Sequence, residues 1–386
     1  MEMKEKLQRY AQVLLQIGCD LKEGDTVAVE IPVEHMEFAE IIRTEAMCAG
    51  AEGCTVFPFR TDGMPWDEET HAAHLREAEE TAKKKPCVIN LCMAEFAEAH
   101  EDVEAFDECQ KQKREIRKVL NQYGRNAGTI ACVPSQYWAD RFYPELPEEE
   151  RFDALWDAFF TCVHCMAEDP VGFWKSYIHN TGIRKKKLDE YNFVKYHYIG
   201  EKSDFTFSSS RGGFWMGGCV ETPERTFIPN LPTQEIFLGP LKTSVNGHIE
   251  ARLPLNYQGH IIEGISLDVK DGKIICYNAA RGYDTLQEII ETEEGTHYLG
   301  EVAAVEADSS IASFNKLFYT TLYDENASCH VAIGNGLGPG DEDSSGLNRA
   351  SLHVDFMIGS KSMNIFGQKE DGTWIHVFSD GKWIID

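Results

Sequence analysis

Long hydrophobic runs are missing from this 386-residue chain. None approaches the roughly 18 apolar residues that mark a membrane-spanning helix, so no membrane partner is expected. Positive charge is also in short supply. Thirty-seven Lys and Arg stand against 64 Asp and Glu, a formal net charge of −27, and such a surface repels polyanions. Nucleic acid is therefore excluded as a partner, whereas a cationic substrate is drawn in. The twelve cysteines have no disulfide-framework spacing, and the opening MEMKEKLQRYAQ has no hydrophobic signal core. Both features imply reduced, mostly buried thiols in a cytoplasmic protein. The close pair Cys162 and Cys165, in CVHC, has no second pair at zinc-site spacing and reads as part of a helical core. Neither a low-complexity linker nor an internal repeat interrupts the chain.

What is present is material for packed cores: 42% apolar residues, with 21 Phe, 14 Tyr and 7 Trp. The length exceeds what one core usually fills, so two domains are expected. From the start, Leu7, Tyr10, Ala11, Leu14 and Leu15 follow helical spacing, and DLKEGDTVAVEIP then turns into a strand. The alternation continues through EHMEFAEIIRTEAMCAGA, CTVFPF, HAAHLREAEETAKKK, PCVINLCM and TIACVPS, which predicts a mainly parallel sheet covered on both faces. After about residue 190, aromatic and β-branched alternation takes over in NFVKYHYI, DFTFSSS and HIIEGISLDV. The pairs Asp271-Gly272 and Asp371-Gly372 sit between apolar runs as hairpin turns do. The expected fold class is α/β, with an N-terminal α/β domain over 1–190 and a C-terminal α+β domain of largely antiparallel strands over 191–386.

Candidate chemistry gathers at residues 324–336, DENASCHVAIGNG. A phosphate-cradling loop fails, because the glycines follow neither a G-x-G-x-x-G register nor a G-K-[ST] ending. A nucleophile pair of Cys329 and His330 lacks a separate base and orienter, since adjacent side chains seldom face one another; Cys329 reads as a packed thiol. A metal site draws on more residues: Glu235, Glu301, Glu325, His330, His353 and Asp355. His353 and Asp355 stand two apart in a strand-like run and so project from one face. Carboxylates and imidazoles in this mixture suit hard-to-borderline divalent cations. His35, His71, His74, His164 and His179 read as surface or packing histidines.

The segments NLPTQE, GHIIEGISL, DGKI, LGEVA, TLYDENASCHVAIG, GLN followed by LHVDFMIGS, and the closing DGTW and DGKW resemble, in that order, the aminopeptidase T family of metallopeptidases. The resemblance runs from about residue 225 to the end and extends to YAQVLLQIGCDLKEGDTVAVEI and GAEGCTVF. It implies an N-terminal α/β domain, a C-terminal domain with two divalent ions (zinc, cobalt or manganese), and a homodimer enclosing a cavity. Carried over by residue, Glu235, Glu301, His330, His353 and Asp355 match metal-binding positions, and Glu325 matches an acid beside the metals that joins the ligand set. The implied activity is release of N-terminal amino acids from peptides with a free N-terminus, by a water that two metals activate. Glu325, or alternatively Glu301, would move the proton. The match departs at Leu337, where the family places a tyrosine, and in the shortened segment GNGLGPGDEDSSG. Two further readings follow from that departure: a metallohydrolase acting on another amide or amino-acid conjugate, and a non-catalytic metal-binding relative.

Overall fold

The computed structural model describes residues 1–94, 96, 102–340 and 342–385. It forms two compact units, Met1–Ser176 with Cys219–Pro232, and Tyr177–Gly218 with Thr233–Asp386.

The first unit is α/β. Strands β1 (Thr26–Pro32), β2 (Gly53–Phe59), β3 (Cys87–Cys92) and β4 (Ala127–Cys132) form a four-stranded sheet in the order β2-β1-β3-β4, and every pairing is parallel. All seven residues of β1 are buried, as expected of a central parallel strand covered on both sides. Helix α1 (Met3–Val13) buries Leu7, Tyr10, Ala11 and Val13, and the Tyr10 hydroxyl donates to the Cys132 carbonyl at 2.9 Å. Helices α2 (Met36–Cys48), α3 (Glu68–Ala82) and α4 (Val103–Asn121) follow β1, β2 and β3. Ala78 of α3 and Ile116 and Leu120 of α4 pack with Ala28, Phe57 and Val88 of the sheet.

Segment Cys219–Pro232 is anchored within this unit by a bidentate ion pair. Arg225 Nη1 and Nη2 donate to Asp25 Oδ2 and Oδ1 at 2.7 and 2.6 Å. Burial raises the Asp25 pKa, but the Arg225 guanidinium and the Lys22 N–H outweigh it and hold the carboxyl below its usual range. Arg225→Ala would strand a buried carboxylate, so a loss of about 3–5 kcal/mol is expected. A denaturant midpoint unchanged from the parent would refute that figure.

The second unit is largely antiparallel. Its larger sheet has eight strands, in the order Lys273–Asn278, Ser266–Lys270, Asn246–Glu250, Asp204–Phe207, Lys195–Ile199, Asn364–Gln368, Trp374–Ser379 and Lys382–Trp383. Asp271 and Gly272, both at positive φ (49° and 83°), close the hairpin in which Lys270 faces Lys273; Asp-Gly is suited to such a turn. A Cβ at Gly272 would also lie 1.8 Å from the Lys242 carbonyl oxygen. A second sheet has four strands, His353–Met357, His330–Gly334, Leu299–Val305 and Glu235–Leu238, in that spatial order. One core joins the two sheets. Tyr198, Phe205, Leu267 and Ile365 of the larger pack in the same cluster as Ile236, Val302, Val331 and Phe356 of the smaller. Among the described residues no helix is long and apolar enough to cross a membrane.

Candidate active site

The four-stranded sheet is what assembles the acids and histidines. Along each strand the core-facing set is Ile236 and Leu238, Val302 and Ala304, Val331 and Ile333, Val354 and Phe356. Side chains alternate across a strand, so the intervening positions Glu235, Glu301, His330, His353 and Asp355 share the opposite face. The register agrees: Glu301 faces Ala332, Ala332 faces Asp355, and Glu235 faces Val305, four residues beyond Glu301. Ala332 and Ala303, both fully buried, are the small residues that leave room between these longer side chains.

Glu301 reaches that face through a bulge. Leu299 opposes Ile333 and Glu301 opposes Ala332, so strand Leu299–Val305 advances two residues while strand His330–Gly334 advances one. The extra residue is Gly300. Regular alternation from the core-facing Leu299 would have put Glu301 into the core; the bulge inverts the phase.

The side chains converge closely. His330 Nε2 lies 2.9 Å from Glu235 Oε2 and 3.4 Å from Glu301 Oε1. His353 Nε2 lies 3.2 Å from Asp355 Oδ1 and 3.6 Å from Glu301 Oε2. Two groups of potential ligand atoms result, Glu235–Glu301–His330 and Glu301–His353–Asp355, each within 4.8 Å, with Glu301 common to both. None of these approaches forms a hydrogen bond: Glu235 Oε2, Glu301 Oε2, His330 Nε2 and Asp355 Oδ1 are buried without a hydrogen-bond partner.

Both imidazoles are oriented from behind. His330 Nδ1 meets the Ser328 carbonyl at 3.2 Å and His353 Nδ1 meets the Asn335 carbonyl at 2.8 Å. A carbonyl can only accept, so each Nδ1 carries a proton, and each Nε2 is the atom left to offer a lone pair to a bound cation, as ligating histidines require. Burial lowers the His353 pKa, but the Asp355 and Glu301 carboxylates overcome it and push it to about 9. Burial and the carboxylates of Glu235 and Asp355 push Glu301 up to about 7 against the opposing pull of His330. The patch is crowded with negative charge and short of positive charge.

Glu325 lies at the edge of this group, on a single helical turn before strand His330–Gly334. It belongs to neither group of ligand atoms. Burial, followed by the charges of Glu235 and Asp355, holds its carboxyl well above the usual range. The turn is fixed by its neighbours. Asp324 accepts from the Phe318 and Thr320 N–H groups at 2.7 and 3.1 Å. Asn326, fully buried, accepts from Gln234 N–H at 2.5 Å and donates to the Leu322 carbonyl at 3.1 Å, which ties the residue before Glu235 to the turn bearing Glu325. Asn326→Ala leaves a buried N–H unpaired, and a loss of about 1–3 kcal/mol is expected, with kcat falling as well. Denaturation and steady-state rates on one preparation check both.

Cys329 is packed between strands, with its Sγ 3.5 Å from both the Val305 N and the Val305 O. Burial pushes its thiol up to about 11, the opposite of what a thiolate nucleophile needs. The glycine-rich stretch offers no anion cradle: the N–H groups of Gly334, Asn335 and Gly336 donate to the carbonyls of Tyr298, Leu352 and Asn348. Leu337 is 37% exposed, and Asp341 in the following segment lies outside the described residues. Gly300 and Asn335 escaped the reading of the sequence. Their only signals were a glycine before an acid in LGEVA and an asparagine in GNG.

Buried carboxylates and lone-pair imidazoles converging on one sheet face make the donor set of a divalent-cation centre. Residues 3–383 match the family described as thermophilic metalloprotease (M29), and the chain belongs to that family. It is 33% identical over 403 residues to aminopeptidase AmpS of Bacillus subtilis, with 98% of each chain covered. It is 31% identical over 411 residues to aminopeptidase T of Thermus aquaticus, with 99% of each covered. The solved structure of wild-type AmpT from Thermus thermophilus matches at a TM-score of 0.86 and 28% identity over 100% of both chains. Family membership makes this chain a metal-dependent hydrolase of peptide bonds.

Proposed function

We infer that the chain is an aminopeptidase that removes N-terminal residues from peptides, with one divalent ion held by Glu235, Glu301 and His330 and a second by Glu301, His353 and Asp355. The carrying observation is the set of four buried, unpartnered atoms, Glu235 Oε2, Glu301 Oε2, His330 Nε2 and Asp355 Oδ1. Buried polar atoms left unpaired are costly, and cations satisfy all four together. Bound there, divalent ions supply Lewis acidity, withdrawing charge from a carbonyl and easing loss of a proton from water. Zinc, cobalt and manganese all suit this O/N donor set.

Glu325 is the residue assigned to accept that proton and return it to the leaving amine, because it stands outside both ligand groups and keeps its basicity. Glu301 is the second candidate, but its two oxygens are shared between the groups. Cation charge among the neighbouring carboxylates counteracts the rise in the Glu325 pKa and favours the ionised base. The carboxylate-rich face suits a substrate α-ammonium, which supports restriction to free N-termini. The names of the relatives support the same restriction. The reading extends to a homodimer, checked by light scattering of the purified protein, and to a cytoplasmic setting, for which twelve free thiols speak.

The test is metal analysis paired with turnover. About two ions per chain are expected, with activity lost to chelation and restored by zinc, cobalt or manganese. Full activity in metal-stripped protein would exclude the reading. Aminoacyl anilides and dipeptides should be cleaved and acyl amides left intact; cleavage of the acyl amides alone would favour another amide hydrolase. Metal-dependent melting without turnover on any substrate would favour a non-catalytic relative, the alternative to which the exposed Leu337 gives some weight.

A further inference from the structure

A cavity of about 380 Å³ is lined wholly by residues of the first unit, and none of the candidate metal ligands is among them. Its position follows from topology. From β1 the chain passes to β2 on one side, and from β2 it crosses back to β3 on the other. The loops after β1 and β3 therefore leave the sheet in opposite directions, which opens a crevice at the carboxyl ends of the strands, the place where open parallel sheets bind small ligands. The cavity is lined by residues that end or follow all four strands: Glu34 and His35 after β1, Phe59 and Arg60 at the end of β2, Met93 after β3, and Pro134 to Tyr137 after β4. The rim is held in place, since the buried His35 donates from Nε2 to the Pro134 carbonyl at 2.7 Å and so joins the loops after β1 and β4. Such preorganisation reduces the ordering cost of binding.

The lining specifies a ligand. Phe59, Phe106, Tyr137 and Phe152 form aromatic walls, which favour a flat ring. The polar groups are mostly engaged: Arg60 is paired with Asp62, and Glu34 accepts from the Thr61 hydroxyl. Lys113 differs. Its Nζ lies 4.1 Å from the Phe59 ring centroid, and among the described residues it pairs with no carboxylate. A half-buried ammonium beside aromatic walls, in a chain of net charge −27, selects an anion locally. Residues 25–49, which carry β1 and the turn after it, contain no glycine, so the backbone cradle of a nucleotide pyrophosphate is missing.

We propose that this crevice is a binding site for a small aromatic carboxylate, with the ring between Phe59 and Phe152 and the carboxylate on Lys113. The proposal does not depend on the aminopeptidase reading.

The experiment titrates full-length, metal-loaded protein with 3-phenylpropionate and with its neutral analogue 3-phenylpropanamide, by calorimetry and ligand-observed NMR. The parent is expected to bind the carboxylate about tenfold more tightly than the amide, the worth of one charge-assisted hydrogen bond. Lys113→Gln should remove that preference and leave peptidase turnover and melting temperature unchanged, and Phe59→Ala should weaken both ligands. A carboxylate held instead by the metal centre would bind Lys113→Gln and parent protein equally, and that result overturns the proposal. So does an absence of saturable binding by either ligand.

Discussion

Glu325→Gln is expected to lower kcat by about 10²–10⁴-fold, the usual worth of a positioned general acid–base group, while metal content stays unchanged. The substitution suits the question because it alters the proton affinity of the group and little else. The Glu325 Oε1 that lies 3.5 Å from Asn326 Nδ2 remains an acceptor in glutamine, so the turn that Asn326 pins to Gln234 keeps its contacts. Neither group of candidate ligand atoms includes Glu325, so a loss of rate cannot be traced to a lost ligand. KM should move little if the residue acts on a proton and does not bind substrate. The acid limb of the kcat/KM profile should disappear with the carboxylate, whereas a residue that only shapes the site would scale the whole profile down. Glu325→Gln protein with its metals and full turnover would exclude the role and pass it to Glu301.

Parts of this centre could be read directly from the chain. In LHVDFM the polar residues stand two apart with Val354 and Phe356 between and beyond them, and that alternation alone places His353 and Asp355 on one side of a strand. The β-α alternation of the first 190 residues likewise specifies a parallel sheet, and Asp271-Gly272 specifies a hairpin. Other parts are not local properties. Strand Leu299–Val305 is buried at all seven positions, so no contrast of polarity reports which way Glu301 points. That Glu235 and Asp355, from the two outer strands of the sheet, join one cluster through Glu301 depends on the register of four strands, which short motifs do not carry. The family resemblance supplied the set of residues. The sheet supplies the reason they form a set: a face with alanines at its centre and acids and imidazoles around them. The path of Cys219–Pro232, which joins the first unit in the middle of the sequence of the second, leaves no mark in composition, because its anchors are the Arg225–Asp25 pair and backbone hydrogen bonds of Ile228, Pro229 and Leu231 to Ile17 and Ile130.

Gly300→Ala is expected to lower kcat/KM about 100-fold, the cost of misplacing a catalytic constellation by roughly 1 Å. The bulge at Gly300 is the device that turns Glu301 out of the core, and it leaves no room for a methyl group. A Cβ there would lie 2.2 Å from the Asn335 carbonyl oxygen and 2.6 Å from that of Gly334, contacts that backbone cannot relieve by rotating a side chain. The Asn335 oxygen is also the acceptor that orients His353 through Nδ1 at 2.8 Å. One methyl therefore disturbs two candidate ligands at once, Glu301 through its own backbone and His353 through its support, and loss of such support typically costs 10–100-fold in metal affinity. The matched control is Val302→Ala, one residue along the same strand but facing the core. It should cost about 1–3 kcal/mol of stability as a cavity while leaving metal affinity and the turnover of folded enzyme near parental. Isothermal metal titration separates the two: weakened binding is expected for Gly300→Ala alone. Equal metal affinity in both variants would show that the bulge serves the strand and not the site.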